Sequence, residues 1–350
     1  MKKSQEYEIR KKAGDLNALC GIRDYVFNDG PARGVRAFDL NNGSGILMTV
    51  LADRALDIPY LSFKGYNVGV TSKVGIRSPY LFSEEAGIGF LRQFNAGLLT
   101  TAGLTYAGAP GEDEGRVLGL HGVIGNTPAD KVGAWADYEG DDKVLRVRGE
   151  VREADIFGPN LVLKRLLTLE TEKNELHIHD VVENQGYTTQ PLMLLYHSNF
   201  GYPLVDEGAH AYFSAKQVEA RTPFAQEGLD RHCIMEDAGM GRDEQCYFLT
   251  DAEPGESFAM IHNEQLGIAA IVRYDERQLP LLCEWKCMRA GDYALGLEPT
   301  TCGVLNRSET REKGMLQTIE PGESRTFDVT IELTDDPARI ESYKAKANRR

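Results

Sequence analysis

The amino-acid sequence predicts an all-β fold, built either as a large antiparallel sandwich or as a barrel. Apolar residues recur mostly with a period of two, and turn sequences such as Asn42-Gly43 and Asn184-Gln185-Gly186 separate the apolar runs. Helical periodicity is scarce and strand–helix alternation is missing, which argues against doubly wound and βα-barrel folds. No linker divides the chain, so we predict one domain over residues 1–350 with a few short helices.

The individual elements follow from local patterns taken in chain order. Residues 9–20 could form a short helix, and residues 337–347 could form another, with Pro337 near its first turn. The clearest in–out alternation lies in 144–151, and the polar residues 170–174 predict a hairpin turn between two apolar runs. The predicted strands are 34–51, 144–151, 161–169, 176–182, 187–199, 217–222, 245–250, 256–262, 266–273, 279–287, 292–298 and 324–333.

One segment, residues 84–111, is unusually rich in glycine. Its central part, residues 97–104, is too polar and too glycine-rich for a core strand. Glycine allows close backbone approach and left-handed turns. The segment therefore runs close to another group, such as a ligand, or it forms a set of tight turns.

Composition and charge argue against several classes of function. The 350 residues include 39 Lys and Arg against 53 Asp and Glu, a net charge of −14, and no basic stripe that could neutralise nucleic-acid phosphates. No run approaches the ~20 apolar residues of a membrane span, and no signal peptide is predicted. The six cysteines have no CxxC spacing, so we expect reduced thiols in a cytoplasmic protein.

Short catalytic motifs give mainly negative evidence. The sequence has no GxGxxG, GxxxxGK[ST], GxSxG or HExxH. His177 and His179 are two apart on a predicted strand and share one face, which is a common start for a metal site. Their alternation with apolar neighbours favours a polar outer face instead, so we predict no metal and no third ligand beside the pair.

Three ionisable residues follow or end apolar strands. His121 lies in Leu-Gly-Leu-His-Gly, His197 ends a strongly apolar run that begins at Leu194, and Glu298 ends another just before Pro299. An ionisable group in such a place is partly desolvated, which shifts its pKa toward neutrality. Each residue alone has a structural explanation, but the three together indicate a site for acid–base chemistry.

These motifs resemble those of the aldose 1-epimerase (galactose mutarotase) superfamily. Residues 181–186, followed by Pro191 and residues 197–201, are similar to the family's strand, glycine turn and histidine motif. Residues 120–122 resemble its Leu-His-Gly-Gly motif, and residues 296–299 resemble the late strand that carries its catalytic glutamate. The likeness looks closest to a poorly characterised bacterial branch with the segment Gly-Leu-Leu-Thr-Thr-X-Gly-Leu.

The resemblance covers about residues 33–333 and implies a galactose mutarotase-like supersandwich. It implies an isomerase that interconverts the α and β anomers of a free sugar by acid–base ring opening, without a cofactor. Glu298 would be the base and His197 the acid, with His121 bonded to a sugar hydroxyl or to the ring oxygen. We expect the polar atoms of His197 and Glu298 to lie about 4–8 Å apart across the substrate, on the concave face of a large sheet.

The sequence defines the rest of the substrate site less sharply. The family's early sugar-binding arginine is best matched by Arg92 and then by Arg54, and its acidic residue by Asp243 or Glu244. Trp285 could pack on a sugar face or belong to the core. A phosphorylated or sulfonated sugar would need several basic residues, and Arg92 is the one candidate.

Two alternative functions stay open at this point. One is a metal-dependent sugar isomerase that uses His177 and His179. The other is a non-catalytic carbohydrate-binding or sensor protein on the same sandwich. The identity of the sugar and the oligomeric state are not predicted.

Overall fold

Two large antiparallel sheets form the fold in the computed structural model, which describes residues 1–252, 255 and 257–347. One sheet has eleven strands and the other has eight. Their facing sides share one hydrophobic core whose members run from Cys20 to Leu333 along the chain. The all-β prediction is confirmed, and of its two forms the structure has the sandwich.

Within the described residues, the strands and α-helices have the following bounds. The strands are β1 (Gly21–Val26), β2 (Arg36–Asn41), β3 (Ile46–Leu51), β4 (Asp57–Phe63), β5 (Tyr66–Asn67), β6 (Val70–Thr71), β7 (Ala96–Gly97), β8 (Leu99–Ala102), β9 (Gly111–Asp113), β10 (Arg116–Leu118), β11 (Asp130–Glu139), β12 (Asp142–Ala154), β13 (Asn160–Glu170), β14 (Glu175–Asn184), β15 (Gln190–Leu192), β16 (Leu195–Phe200), β17 (His210–Phe213), β18 (Gln217–Ala220), β19 (Gln245–Thr250), β20 (Ser257–Asn263), β21 (Ile268–Tyr274), β22 (Leu281–Cys287), β23 (Ala294–Thr300), β24 (Gln317–Ile319) and β25 (Ser324–Thr334). The helices are α1 (Glu6–Ala13), α2 (Pro223–Glu227), α3 (Arg307–Glu312) and α4 (Pro337–Lys346).

Most predicted strands are present, with shifted ends. The run 34–51 divides into β2 and β3 at its Asn-Gly turn, and the run 187–199 divides into β15 and β16. The predicted strand 256–262 corresponds to β20, and residue 256 lies outside the described residues. The predicted helix 9–20 is wrong in its bounds, because α1 begins at Glu6 and ends before Gly14, which has a φ of +66°.

Among the strands of the two large sheets, the sequence missed β1, β4, β5, β8, β11 and β17. The expectation that residues 97–104 form no core strand is wrong, because β8 is fully buried within the eleven-stranded sheet. In β11 most side chains are exposed or half-buried, so no apolar alternation marks the strand. In β4 nearly every residue is buried, so a period of two is hidden there too. Burial on both faces does not by itself hide a strand, since β20 and β23 are fully buried and were predicted from their apolar runs.

The order of the large sheet places four site strands side by side. It is β1-β2-β3-β4-β8-β16-β23-β22-β19-β18, with β5 beside β4. Because successive strand residues point to opposite faces, Tyr196 and Leu297 point into the core while His197 and Glu298 point outward. The eight-stranded sheet, in the order β11-β12-β13-β14-β25-β21-β20-β17, covers the inner face.

Strand register aligns residues that are far apart in the sequence. His197 lies opposite Thr100 on β8 and, by the pairing of β16 with β23, opposite Glu298. Glu298 in turn lies opposite Cys283 on β22. Thr100, His197, Glu298 and Cys283 thus form one row across the outer face, which we call the His197 row.

A buried ionic network lies on the inner side of the same strands. Arg165 on β13 binds both carboxylate oxygens of Asp180, at 2.9 Å through Nε and at 2.7 Å through Nη2. Its Nη1 donates to Thr101 Oγ1 at 2.8 Å, and Thr101 donates through its backbone N–H and hydroxyl to Asp57. Tyr196 donates to Asp180 at 2.7 Å. The network links the inner faces of both sheets and fixes β8 and β16, which carry part of the His197 row.

The C-terminal helix covers the outer face of the eight-stranded sheet. Pro337 occupies its first turn, as predicted, and the Asp336 carboxylate caps it by accepting from Ala338 N. Ile340 and Tyr343 pack on the apolar outer residues of β20 and β21. Among the described residues, no helix is both long and apolar enough to cross a membrane.

Candidate active site

The outer face of the large sheet brings the two predicted proton carriers into contact. His197 Nδ1 and Glu298 Oε1 lie 2.9 Å apart, and the side chains are 7% and 2% exposed. The approach is poorly aligned for hydrogen bonding, so both atoms are buried without a hydrogen-bond partner. The predicted gap of about 4–8 Å between their polar atoms is wrong here. Opposite residues on adjacent strands have side chains ~5 Å apart, and the sequence does not show that β16 and β23 are neighbours.

Gly296 provides the space that the Glu298 carboxylate occupies. The two residues are two apart on β23 and therefore share the outer face. A Cβ at position 296 would lie 2.1 Å from Glu298 Oε1, closer than any non-bonded contact. Any larger residue at this position would displace the carboxylate, which explains the glycine in the Gly-Leu-Glu-Pro motif.

Aromatic rings surround the pair. The His197 ring centroid lies 5.0 Å from that of Phe94, 5.4 Å from that of Trp285 and 5.7 Å from that of His121. Phe90 in turn contacts both Phe94 and His121 at 4.9 Å. Flat apolar rings beside polar side chains form a typical sugar-binding surface, since a sugar has apolar C–H faces and polar edges.

His121 reaches this surface from a strained turn. Its φ is +59°, and its backbone N–H donates to Gly108 O at 2.9 Å. Burial, together with the nearby positive charges of His197 and Arg221, lowers the pKa of His121 to about 3. His121 is therefore a neutral imidazole near pH 7, suited to hydrogen bonding rather than to carrying a positive charge.

Several polar atoms at the site lack partners. In addition to the His197 and Glu298 atoms, His121 Nδ1, Asn199 Oδ1 and the Tyr106 hydroxyl are buried without a hydrogen bond. Buried polar atoms are normally satisfied, because an unmade hydrogen bond costs roughly 1–3 kcal/mol. Unpartnered atoms also occur elsewhere in the described residues, but those of His121, His197 and Glu298 lie together beside the aromatic rings, where a polar ligand could complete them.

One family model covers most of the chain. Residues 32–333 match the family model described as "Domain of unknown function (DUF4432)". The chain belongs to the DUF4432 family. No curated protein matches the chain.

Solved structures place this DUF4432 protein within a wider superfamily. A candidate aldose 1-epimerase from Klebsiella pneumoniae is 26% identical, with a TM-score of 0.87 over 93% of this chain and 86% of that chain. A galactose mutarotase-like protein from Clostridium acetobutylicum and a galactose 1-epimerase from Lactobacillus acidophilus are each 16% identical, with TM-scores of 0.61 and 0.60. They cover 91% and 90% of this chain and 99% of their own chains, and they show the shared fold. The predicted resemblance to the aldose 1-epimerase superfamily is confirmed.

The two predicted arginines are paired with other parts of the chain. Arg92, at the end of a 3₁₀ turn that begins at Gly89, is 65% exposed and pairs with Glu85. Arg54 is buried and donates to the backbone oxygens of Gly125, Arg77 and Gln93, at 2.7, 3.2 and 3.1 Å. Arg54 is therefore a brace between loops, with each of its three nitrogens bonded to a backbone oxygen.

The predicted acidic residues and Trp285 have different outcomes. Asp243 is 77% exposed and pairs with Arg289 at 2.9 Å, so the structure does not bring it to His197. Glu244 accepts a hydrogen bond of 2.7 Å from Trp285 Nε1. Trp285 itself lies against the His197 ring, which favours its sugar-face role over a purely core role. Of the two acidic candidates, Glu244 lies closer to the site.

The glycine-rich segment approaches other parts of its own chain. A Cβ at Gly97 would lie 2.4 Å from the Ile58 carbonyl oxygen, and one at Gly108 would lie 2.1 Å from the Leu305 carbonyl oxygen. The glycines therefore allow close backbone packing behind the site. Of the two expected explanations, close approach is correct, but the neighbour is protein rather than ligand.

His177 and His179 lie on the outer face of the other sheet, far from the His197 row in topology. His179 Nδ1 contacts Asp328 Oδ1 at 2.7 Å. His177 Nε2 lies 2.9 Å from Glu170 and 3.5 Å from Glu175, so the expectation of no further ligand nearby is wrong for His177. These carboxylates already pair with Lys173 and Arg273, which occupy the place of a cation.

A cavity of about 1020 Å³ lies away from the site, beside α4. Its lining includes His210, His232 and Lys344. His232 Nδ1 contacts Glu284 at 2.6 Å, and His210 Nδ1 contacts Ala211 O at 2.8 Å. Its histidines thus have protein partners, whereas Nδ1 of His121 and Nδ1 of His197 have no hydrogen bond.

Sequence reasoning missed several residues of the site. Phe90 and Phe94 flank the predicted Arg92, and their aromatic spacing was the available signal. Asn199 lies two residues after His197, on the same face, and its Nδ2 donates to His197 O at 2.8 Å. Gly296 was part of a recognised motif, but its role depends on the side-chain position of Glu298.

Proposed function

We propose that this DUF4432 protein is an aldose 1-epimerase that interconverts the α and β anomers of a free sugar. One observation carries the proposal. His197 and Glu298, two groups able to carry a proton, are in contact at 2.9 Å amid aromatic rings and unpartnered polar atoms. A ligand rich in hydroxyl groups is the molecule that such a surface would satisfy.

The chemistry needs one base and one acid. Glu298 removes the proton from the anomeric hydroxyl while His197 protonates the ring oxygen, and the ring opens. Rotation about the C1–C2 bond and closure on the other face give the other anomer, with the two roles reversed. A positioned acid or base contributes roughly 10²–10⁴ in rate, so two suffice for a reaction that already proceeds in water.

The contact between the two residues gives each nitrogen of His197 a separate task. Nδ1 faces Glu298, which stabilises the imidazolium that forms when His197 holds a proton. Nε2 is the nitrogen left to face substrate. His121 would donate or accept one hydrogen bond to a hydroxyl, and Trp285 and Phe94 would pack on the sugar's apolar faces.

Further parts of the proposal rest on the relatives and on composition. The Klebsiella and Lactobacillus proteins carry names that refer to sugar 1-epimerisation, which supports a small sugar as the partner of this chain. We propose a single domain, catalysis without a cofactor, and a cytoplasmic location with no nucleic-acid or membrane partner.

Saturation-transfer NMR of anomer exchange, run across a panel of free aldoses, tests the proposal. Glu298→Gln and His197→Asn should each lower exchange by roughly 10²–10⁴, because each removes one proton carrier and little volume. Glu139→Gln and His179→Asn, on the other sheet, are the matched controls and should keep wild-type rates. If either site variant keeps near wild-type exchange, the role of that residue is wrong.

A non-catalytic sugar-binding or sensor protein is the second candidate, favoured by the unpartnered polar atoms alone. It predicts that wild-type protein binds sugar without accelerating exchange, and that Glu298→Gln still binds. Calorimetric titration beside the NMR measurement separates the two functions.

The metal-dependent alternative has its own test. The group Glu170, Glu175 and His177 could offer three ligand atoms to a cation, but it lies on the other sheet. We expect exchange to survive exhaustive EDTA treatment, since both proposed proton carriers are protein side chains. EDTA-sensitive turnover that a divalent metal restores would favour the isomerase function instead.

A further inference from the structure

Arg221 lies in a second row of the outer face, next to the His197 row. It follows β18, and its N–H donates to Cys246 O at 2.9 Å. Cys246 lies opposite Trp285, and Trp285 lies opposite Gly296. Because cross-strand partners share a face, Arg221 points to the side that carries Trp285 and the Glu298 carboxylate.

In the part of the chain that the structure describes, Arg221 is an arginine without a protein partner on this face. It is half-buried, and within the described residues its guanidinium makes no hydrogen bond and no ion pair. Arginines nearby along the sheet are paired, as Arg289 is with Asp243 and Arg307 is with Asp113. A partly desolvated cation without a partner is unfavourable, so an unpaired one beside a binding surface points to a ligand with negative charge.

The charge of Arg221 acts on the centre of the site. Burial is the main reason that the pKa of His121 is low, and Arg221 adds to the effect. Arg221 also acts on Cys283, which lies opposite Glu298 in the His197 row. Arg221 therefore lies near His121 and Cys283, on the face that its strand register assigns to it.

Distance permits one sugar to bridge these groups. Adjacent strands are ~4.8 Å apart, so Arg221, directly after β18, and Trp285 on β22 are separated by two spacings, or ~10 Å, between backbones. The long arginine side chain spans much of that interval, and Trp285 contacts the His197 ring. Cys246, between them, is too small to block the path.

We propose that Arg221 binds a carboxylate of the substrate, so that the preferred substrate is a sugar acid of the uronic type. This inference rests on the proposed function and names its substrate class. In a pyranuronic acid the carbon that bears the carboxylate is bonded to the ring oxygen, whose other neighbour is the anomeric carbon. With the ring oxygen at His197, the carboxylate lies within one ring width, toward Arg221.

A single carboxylate fits the local charge better than a phosphate does. Arg221 is one cation with a planar fork that pairs with a carboxylate through two parallel hydrogen bonds. Glu298 and Glu244 supply negative charge at the same surface, and Arg92, the basic residue expected there, is paired elsewhere. A dianionic group would meet too little positive charge.

Matched sugars that differ only at C6 test the proposal. Calorimetric titration should show wild-type protein binding D-glucuronate and D-galacturonate more tightly than D-glucose and D-galactose. Arg221→Gln should weaken binding of the two acids ~10–100-fold and change binding of the neutral sugars less than ~3-fold. Arg221→Lys, which keeps the charge but loses the fork, should lie between. Arg277→Gln, an exposed arginine paired with Asp275, is the control.

Each outcome decides one question. Four results would overturn the inference. They are an equal loss of affinity for acidic and neutral sugars in Arg221→Gln, tighter wild-type binding of neutral sugars, tighter Arg221-dependent binding of D-glucose 6-phosphate, and no binding of any sugar acid. Thermal unfolding of each variant shows whether the fold is intact, and Arg221→Lys replaces Arg221→Gln if the latter is unfolded. Acid binding that depends on Arg221 without anomer exchange would overturn the proposed function while leaving the ligand class standing. Anomer exchange on neutral sugars that is unchanged in Arg221→Gln would overturn the inferred ligand class and leave the proposed function standing.

Discussion

Strand β16 carries polar residues on both faces, and the hydrogen bonding of these residues differs between the two faces. On the inner face, Tyr196 joins Arg165 and Asp180 in a network whose polar atoms are bonded within the protein. On the outer face, His197 and Glu298 are in contact, yet Nδ1 and Oε1 lack hydrogen bonds. Both groups are almost completely buried, so exposure does not explain the difference.

The difference distinguishes buried polar groups that stabilise the fold from buried polar groups that bind a ligand. A buried charge and its protein partners stabilise the fold only together. Removal of one member therefore lowers the stability of the protein. A buried polar atom left unpaired costs stability and is retained where a ligand completes it. The predictions below test this distinction, from the largest expected change to the smallest.

Arg165→Leu should lower the free energy of unfolding by about 3–5 kcal/mol, because it leaves the Asp180 and Asp57 carboxylates buried without their cation. Urea unfolding measures this. Arg277→Leu removes an arginine that is 72% exposed and should change stability by less than ~0.5 kcal/mol. Adding Asp180→Leu to Arg165→Leu should recover part of the loss. A loss below ~1 kcal/mol for Arg165→Leu would mean that the inner network is not structural.

Gly296→Ala should lower anomer exchange by ~10²-fold, since the new methyl displaces the Glu298 carboxylate from its place beside His197. The NMR exchange assay measures it. Gly133→Ala on β11 is a matched control, because its Cβ would have no neighbour closer than 3.7 Å. Unchanged exchange in Gly296→Ala would show that the carboxylate position seen here is not the one that acts.

The smallest effect concerns pH. The pKa of His121 is about 3 in the folded protein, against an ordinary value of ~6.5. As pH falls below ~6.5 the unfolded chain takes up a proton that the folded chain does not, so the free energy of unfolding falls between ~6.5 and ~3. His121→Asn should reduce this fall, measured by urea unfolding at pH 7 and pH 5. Part of the fall in the free energy of unfolding should remain in this variant, because burial also lowers the pKa values of His210 and His262. An unchanged fall would contradict the burial of His121.

The arginine assignments show what could not be inferred from the sequence alone. Arg92 and Arg54 were the candidates for the family's early sugar-binding arginine, and both are paired with protein groups. Arg221, directly after the short edge strand β18, belongs to no recognised sequence motif. Pairing of a side chain depends on which strands are neighbours, and spacing along the chain does not encode that.

By itself, the sequence determined the fold class and three ionisable residues of the site. A period of two is a local property of half-buried strands, and a His or Glu that ends an apolar run is visible without any neighbour. Only the tertiary structure decided that His197 and Glu298, 101 positions apart in the numbering, touch at 2.9 Å, and that Gly296 makes the space. Such contacts arise from the order and register of strands, which are set by the packing of the whole sandwich rather than by any one segment.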